Sequence, residues 1–242
     1  MNKVLAHAMI CLCVVFSTTR AIAVDTEKNS VPPLPEVHSV RSDKPITIDN
    51  ETDFVPLFNG TSLDGWQGNL AGYDVVNGEL QCRKGAGGNL LTKAEYGDFV
   101  LRFEFRLLPG ANNGLAIRAP VNGDAAFNGM ELQILDDVHQ KYENIESWQS
   151  HGSIYGVVAA KRGSLKPAGE WNTQEVTARG SKITVVLNGE TIVDADIEPF
   201  RGGAPTPDGK AHPGLARTTG HIGFLGHGDE VHFRNIRLRA AP

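Results

Sequence analysis

Alternation of apolar and polar side chains between Phe99 and Leu107 constrains the fold of this chain more than any other feature of its sequence. The odd positions of this segment are all Phe or Leu, and three of the four even positions are charged. Successive side chains of a β-strand point to opposite faces, so this pattern predicts a long strand with one face on a hydrophobic core and one toward solvent. Helical periodicity is nearly absent from the rest of the chain, which favours an all-β protein.

Two Asn-Gly pairs separate strand-like runs and predict tight hairpins. Asn77-Gly78 stands between Tyr73–Val76 and Glu79–Cys82, and Asn188-Gly189 follows the apolar run Ile183–Leu187. Because both residues of such a pair tolerate positive φ, they suit the short turns that join antiparallel strands. Further strands are predicted near Gly114–Arg118, Met130–Leu135, Ile154–Val158, Glu175–Ala178, His221–Leu225 and Val231–Leu238.

The last of these predicted strands changes its apolar parity between Phe233 and Ile236, which indicates a β-bulge near Arg234-Asn235. About ten to twelve strands with glycine-rich loops and no repeat period predict two antiparallel sheets packed face to face. A β-propeller or β-helix would show a repeat, and none is visible in the sequence.

The N-terminus reads as a secretory signal peptide over residues 1–23. Lys3 supplies its positive charge, Val4–Phe16 its short apolar run, and Ala21-Ile22-Ala23 a small-residue cleavage site. The apolar run is short for a membrane span, which needs about 20 residues, although an uncleaved N-terminal anchor stays open. We expect cleavage after Ala23 and a secreted or periplasmic protein, with residues 24–52 as a flexible linker and residues 53–242 as a single β-sandwich domain.

Charge and cysteine count narrow the function classes. Loss of Lys3 and Arg20 leaves 21 basic against 28 acidic side chains, a net charge of −7. A chain this acidic is not expected to bind nucleic acid, and its charge suits a neutral ligand. Only Cys82 remains after cleavage, so no intrachain disulfide can form, and this cysteine is predicted to be a buried small residue on a strand.

The predicted strand Met130–Leu135 carries the candidate site. Its even positions face the core, which leaves Glu131 and Gln133 side by side on the other face, where they can hydrogen-bond a carbohydrate. A solvated outer face is the simpler alternative. Glycosidases of the usual kind need two carboxylates flanking the scissile bond, but Gln133 and Leu135 follow Glu131 at the alternate positions. Asp136 could supply the second carboxylate only if the strand ends or bulges there.

Four further residues complete the candidate set. His227 lies between two glycines at a strand end, where it can transfer protons near neutral pH or can equally be a surface histidine. Arg118 can bind a substrate oxygen as a forked donor, or can instead be a structural partner of Glu131 or of an aspartate. Tyr155 lies in a predicted binding loop, and Asn113 precedes a glycine.

No cofactor follows from the sequence. Asp136 and Asp137 offer oxygen ligands for a divalent metal such as calcium, but their spacing matches no established calcium-binding loop. The spacing of His221, His227 and His232 gives only weak support to zinc.

An ordered set of short motifs across residues 54–239 resembles the 3-keto-disaccharide hydrolase domain family. The matching motifs are Phe58-Asn59-Gly60, Leu63-Asp64-Gly65-Trp66, Asn113-Gly114, Glu131–Asp136, Gly169-Glu170-Trp171-Asn172, Gly220-His221-Ile222-Gly223, His227-Gly228 and Phe233-Arg234-Asn235-Ile236. The resemblance implies a concanavalin A-like jelly-roll sandwich in an exported protein. It also implies cleavage of glycosides already oxidised to a ketone at C3, by removal of the proton at C2 and then elimination or hydrolysis.

Such chemistry needs a base, an acid and a group that polarises the ketone, and it does not need paired carboxylates. On this basis His227 and Glu131 are the candidate catalytic residues. The candidate substrate-binding residues are Arg118, Gln133, Tyr155, Asp136 and Asn113. A noncatalytic, lectin-like carbohydrate-binding module is the alternative, because the same polar side chains would serve it, and a protein-interaction domain is a third possibility.

The chain departs from the family pattern at one place. Family members often read Gly-Leu-Gln-Asp-His-Gly before the final strand, whereas Leu225 and Gly226 stand here in place of the glutamine and aspartate. The histidine, His227, is retained. This departure bears on specificity and on activity.

Overall fold

A computed structural model describes residues 51–241 of the chain. The predicted signal peptide and residues 24–50 of the predicted linker lie outside the described residues, so those assignments remain predictions. Glu51, which the prediction placed in the linker, opens a 3-10 helix and pairs with Arg102 and Arg237 of the domain at 2.9 Å each. Glu51 is therefore in direct contact with the domain.

Thirteen strands provide most of the regular secondary structure of the described residues, and every strand pair is antiparallel. In chain order they are β1 Val55–Pro56, β2 Trp66–Gly68, β3 Tyr73–Val76, β4 Glu79–Cys82, β5 Gly88–Thr92, β6 Phe99–Leu107, β7 Asn112–Ala119, β8 Met130–Leu135, β9 Trp171–Arg179, β10 Lys182–Leu187, β11 Glu190–Asp196, β12 His221–Gly226 and β13 Val231–Ala240.

Helices within residues 51–241 are short. The α-helices are α1 Ala125–Asn128 and α2 Glu198–Arg201, and the 3-10 helices are Glu51–Asp53, Leu70–Gly72, Gln140–Tyr142, Ser147–Gln149 and Pro213–Ala216. In this part of the chain no helix combines the length and the apolar character needed to span a bilayer.

The strands form two sheets, as predicted. The larger sheet has the order β11-β10-β9-β6-β13-β4-β3, with β1 added beside β13, and the smaller one has the order β2-β5-β12-β7-β8. Neighbours in both sheets are often far apart in sequence, as the crossovers of a jelly roll require. The all-β sandwich predicted from alternation and turn signals is confirmed.

Aromatic side chains from both sheets fill the core between them. Phe103 and Phe105 on β6 and Phe233 on β13 point inward from the larger sheet, and all are almost fully buried. From the smaller sheet Phe224 stacks on Phe233 with ring centroids 3.8 Å apart, and Trp66 lies 6.1 Å from Phe224. The alternation between Phe99 and Leu107 therefore identified the central core strand with its correct bounds.

The turn and bulge predictions are confirmed. Asn77 and Gly78 have φ values of 52° and 83°, and Asn188 and Gly189 have 51° and 90°, as tight hairpins require. The register of β13 against β6 shifts between Arg234 and Arg237, and Asn235 at φ 52° is the bulged residue. The bulge returns Ile236 and Leu238 to the buried face.

One predicted strand is absent. Residues 154–158 make only isolated bridges, because the chain turns back on itself where Val157 N donates to Ile154 O at 2.8 Å. Three observed strands, β1, β2 and β5, were not predicted. They are short or glycine-containing, so they show no alternation over a useful length.

Candidate functional site

A pocket of about 290 Å³ lies over the outer face of the smaller sheet. Strand residues and the residue after β12 line one side of it, namely Asn112, Glu131, Gln133, Leu135 and His227. Loops and α1 line the other side, through Asp124, Ala126, Phe127, Tyr142, Ile145, Gln149 and Tyr155. Four residues predicted from sequence, Glu131, Gln133, Tyr155 and His227, therefore meet in one place.

Glu131 lies on the floor of this pocket because β7 presents small residues beside it. Ala116 is its direct cross-strand partner, and Gly114 lies one row along the same face. A Cβ atom at Gly114 would collide with the Glu131 carboxylate, so glycine is what gives this side chain its room. Glu131 is 5% exposed, and its Oε1 has no hydrogen-bond partner within residues 51–241. A buried acceptor of this kind is unusual in a folded protein and suggests a ligand site.

His227 covers the Glu131 carboxylate from the strand end. Its Nε2 lies 3.7 Å from Glu131 Oε1, and its side chain is 47% exposed. The Glu131 carboxylate raises the pKa of His227 more than burial lowers it, and the charge of Asp229 acts in the same direction. Gly228 follows at φ 85°, a conformation that favours glycine and turns the chain away after the imidazole. The site thus pairs a carboxylate with an imidazole that stays protonated to a higher pH than an ordinary histidine does.

Two amide side chains extend the polar floor. Gln133 is 5% exposed, and its Oε1 lacks a hydrogen-bond partner among the described residues. Asn112 lies two rows from Glu131 on the same face of the sheet, and its Oδ1 is likewise buried without a partner in that range. Both can bind the hydroxyl groups of a polyol.

Tyr155 is held over the pocket by backbone pairing with β8. Its N–H donates to Glu131 O at 2.9 Å, just after Gln133 N donates to Ser153 O at 3.0 Å. Trp148 meets the Tyr155 ring edge-on at 5.1 Å, and Gln149 Nε2 donates to its hydroxyl at 3.5 Å. Residues 153–155 therefore pair with the free edge of β8, and this pairing fixes the position of Tyr155.

Arg118 is a correction to the sequence prediction, because it does not line the pocket. Its side chain is fully buried and donates to Gly180 O at 2.7 Å, and it pairs with Asp98 at 3.0 Å. The residue has φ 49°, and the pairing of β7 with β12 shifts at this point, so a bulge turns the side chain away from the face that holds Glu131. The alternative role, a structural partner of an aspartate, is the one observed.

Asn113 and Asp136 do not line the pocket either. Asn113 shares the parity of Leu115 and Ile117 and is fully buried on the inward side of β7. Asp136 follows the end of β8, where its Oδ2 accepts the N–H of Gly110 at 2.8 Å. The substrate-binding roles predicted for both are therefore not supported by their positions, and Asp136 does not supply a second carboxylate to the pocket.

Both acids of the Asp136-Asp137 pair hold loops in place. Asp137 accepts the N–H of His151 at 3.1 Å and pairs with Arg162 at 3.2 Å. Within residues 51–241 no three His, Cys, Asp or Glu side chains come together in a way that would hold a metal ion.

Cys82 is buried, as predicted. Burial raises the pKa of its thiol to about 11, so the thiolate is scarce at neutral pH.

The two residues that depart from the family pattern, Leu225 and Gly226, point to opposite faces of the smaller sheet. Leu225 points to the outer face of the smaller sheet and packs there with Leu91 and Ala116. Gly226 points inward, where a Cβ atom would approach Cys82 Sγ to 2.7 Å and the Tyr73 hydroxyl to 2.9 Å. An aspartate at position 226 would therefore enter the core unless the surrounding residues moved.

Several pocket residues escaped the sequence analysis. Asn112 could have been predicted, because it shares the parity of Gly114 and therefore lies on the same face of the sheet as Glu131. The others stand in loops and short helices, where no periodicity reports direction. They are Asp124, Ala126, Phe127, Tyr142, Ile145 and Gln149. Leu135 lies on β8 and shares the face of Glu131, as its alternate position indicates.

Residues 53–239 match the model of the 3-keto-alpha-glucoside-1,2-lyase-like domain. The chain belongs to this family. A curated relative from Bacteroides thetaiotaomicron, named a 3-keto-disaccharide hydrolase, is 24% identical over 227 residues, which cover 77% of this chain and 78% of the relative.

Solved structures agree with the family. A protein from Parabacteroides distasonis, provisionally named a glycosyl hydrolase, has a TM-score of 0.70 and 31% identity over 78% of this chain and 99% of its own. A second protein of the same provisional name and organism has a TM-score of 0.66 at 22% identity, over 79% of this chain and 95% of its own. The chain is thus a carbohydrate-active, hydrolase-like protein with a concanavalin A-like jelly-roll fold.

Proposed function

We propose that this protein cleaves 3-keto-glycosides outside the cytoplasm, using Glu131 and His227 to move protons. The observation that carries the proposal is the pairing of a buried carboxylate, free of hydrogen bonds at Oε1 within the described chain, with an imidazole 3.7 Å away in one pocket. The family match to residues 53–239 supports the same chemistry.

A ketone at C3 makes this chemistry accessible to a single carboxylate. The ketone acidifies the C2 hydrogen, so a base can take that proton while the C1–O bond breaks and a C1=C2 double bond forms. The electron pair of the C1–O bond leaves on the aglycone oxygen, which then takes a proton. Addition of water across C1=C2 gives the free 3-keto sugar, so the net reaction is hydrolysis.

The electrostatics of the pair suggest how the two roles divide. Glu131 is the proposed base, because its Oε1 is not engaged by any described hydrogen-bond donor. His227 is the proposed acid for the leaving oxygen, because its raised pKa increases the protonated fraction near neutral pH. Gln133 and the Tyr155 hydroxyl are proposed to orient the sugar and its ketone.

The pocket does not suit an ordinary glycosidase. Gln133 stands where a second carboxylate on β8 would stand, and a neutral amide cannot act as nucleophile or general base in that scheme. The other carboxylate of the lining, Asp124, is exposed, and its Oδ1 accepts the N–H groups of Ala126 and Phe127 at the start of α1.

A lectin-like binding module is the second candidate. Leu225 favours it, because an apolar residue replaces a polar one of the family on the same sheet face as Glu131. Under this alternative Glu131, Gln133 and Asn112 would bind sugar hydroxyls without turnover.

Turnover of a chromogenic 3-keto-glucoside, such as the 4-nitrophenyl glycoside, separates the two candidates. We expect release of nitrophenol by the wild type, and a loss of about 10²-fold or more in kcat for Glu131→Gln. Glu190→Gln, on an exposed strand position of the other sheet, is the matched control. Binding of the glycoside without release, in the presence and in the absence of divalent metal, would establish the binding module instead.

The proposed location has its own test. Expression of the full chain in a bacterial host, followed by fractionation and N-terminal sequencing, should give a product that begins at Val24. A cytoplasmic product that begins at Met1 would contradict export.

A further inference from the structure

The two sides of the pocket differ in whether their polar atoms are free to bind a ligand. We call the side formed by Asn112, Glu131, Gln133, Leu135 and His227 the sheet side. The loop side is formed by Asp124, Ala126, Phe127, Tyr142, Ile145, Gln149 and Tyr155.

The sheet side holds three buried oxygen atoms that lack hydrogen-bond partners within residues 51–241. They are Asn112 Oδ1, Glu131 Oε1 and Gln133 Oε1. Buried polar atoms in native proteins nearly always have partners, so three free acceptors in one pocket indicate a ligand that brings donors. A sugar ring with several hydroxyl groups meets that requirement.

Most polar side-chain atoms of the loop side are already engaged. Asp124 Oδ1 accepts the N–H of Ala126 at 2.9 Å, and the Tyr142 hydroxyl donates to Gly110 O at 3.1 Å. Gln149 uses both ends of its amide, because Oε1 accepts Glu146 N–H at 3.0 Å and Nε2 donates to the Tyr155 hydroxyl at 3.5 Å.

The surface that the loop side presents to a ligand is therefore mainly apolar. The Phe127 ring stacks with the His212 ring, with centroids 4.7 Å apart, and Lys210 Nζ lies 5.3 Å from the Phe127 centroid. Ile145 is a half-buried residue of the same lining. The flat face of an aromatic group or a short hydrocarbon can pack on such a surface without losing hydrogen bonds.

We infer that the leaving-group end of the pocket takes an aromatic or other apolar aglycone in preference to a second sugar. The inference rests on the proposed function, with the 3-keto ring bound over Glu131 and His227 and its C1 substituent on the loop side. A second sugar would carry hydroxyl groups to the loop side, where most polar atoms are engaged, and each hydroxyl buried there without a partner lowers affinity. An apolar aglycone carries no such groups.

The test compares two substrates with similar leaving groups. Benzyl 3-keto-glucoside and a 3-keto-disaccharide joined through the primary hydroxyl of the second sugar both release an alcohol, so intrinsic reactivity is matched. Both anomers of each are assayed. We expect kcat/KM to be at least tenfold higher for the benzyl substrate.

A pair of variants tests the loop side itself. Ile145→Asn adds free donors and acceptors to the loop side and should reduce the benzyl-to-disaccharide ratio at least threefold. Val138→Asn makes the same kind of change at a residue that is 67% exposed and outside the lining, and it should leave the ratio unchanged. A ratio that is equal in all three proteins would overturn the assignment of the loop side.

Binding measurements keep this inference separate from the proposed function. Calorimetry on Glu131→Gln with benzyl glucoside and with the matching disaccharide reports the preference whether or not turnover occurs. Tighter binding of the benzyl glycoside supports the inference even if no 3-keto-glycoside is cleaved. Equal or tighter binding of the disaccharide overturns the inference, and so does an absence of binding by either glycoside. The proposed function would still stand if both 3-keto substrates are cleaved.

Discussion

Replacement of His151 by Gln should remove a large part of the acid sensitivity of this protein. His151 is buried, and its ring stacks on the core residue Phe105 with centroids 5.0 Å apart. Its Nδ1 accepts Leu135 N–H at 3.2 Å, so the proton is on Nε2, which donates to Gln174 Oε1 at 3.0 Å. A second proton on the ring would break the bond to β8 and place a charge on a buried side chain.

The size of the effect follows from the pKa. Burial lowers the pKa of His151 to about 4 from 6.5, although the nearby Asp137 charge and the Gln174 hydrogen bond oppose this. The unfolded chain therefore binds more protons between these two values, and stability falls as pH falls from about 6.5 toward 4. Since one pKa unit corresponds to about 1.36 kcal/mol, this histidine accounts for about 2–3 kcal/mol of lost stability between pH 7.5 and pH 4.5. Domains are typically stable by about 5–15 kcal/mol, so the loss is large.

Urea unfolding at the two pH values measures this contribution. All other titrating groups are common to the wild type and His151→Gln, so the difference between their pH dependences isolates His151. The wild type should lose about 2–3 kcal/mol more than the variant. An equal loss in both proteins would refute the argument, whatever the absolute stability of the variant.

Four other predictions concern the pocket and the buried Arg118. Gly114→Ala should displace the Glu131 carboxylate and lower kcat/KM by about 10²-fold with little change in Tm, whereas Gly97→Ala, whose Cβ would meet its neighbours at 3.6 Å, should leave activity unchanged. In Glu131→Gln the pKa of His227, followed by NMR titration, should fall from its raised value, and an unchanged pKa would exclude the pairing. In the wild type kcat/KM should decline as pH rises through that raised pKa, and His227→Gln should abolish this alkaline limb. Arg118→Met should destabilise the fold by about 2 kcal/mol or more without altering KM, which would rise if Arg118 bound substrate.

Local signals in the sequence predicted much of the fold because each has a direct physical cause. Phe99–Leu107 alternates over nine residues, long enough for the period of two to exclude a helix. Asn77-Gly78 and Asn188-Gly189 adopt positive φ at low cost, so they mark hairpins without any knowledge of tertiary structure. Strand β5, by contrast, reads Gly88–Thr92 and owes its place to neighbours that are distant in sequence.

The candidate site was predicted where parity alone decides direction. Glu131 and Gln133 share a face of β8 because side chains alternate, and that prediction is confirmed by their shared pocket. Arg118 has the parity of Gly114, but a bulge turns its side chain away from that face. The sequence of β7 contains no signal that predicts this bulge. Asn113 fails for the opposite reason, because the parity that it shares with Leu115 already indicated the core.

The departure at Leu225 and Gly226 can be weighed through the direction of each side chain. Gly226 faces the core, so the aspartate that it replaces is no loss to the outer face of this sheet. Leu225 pairs with Gly114 and lies on the outer face of the sheet. The Glu131 carboxylate extends over Gly114, in the same row of the sheet as Leu225. A glutamine there would bring an amide donor toward Glu131, whereas leucine cannot donate a hydrogen bond. The substitution therefore leaves Glu131 Oε1 without a hydrogen bond from position 225, which is compatible with proton abstraction and with sugar binding alike.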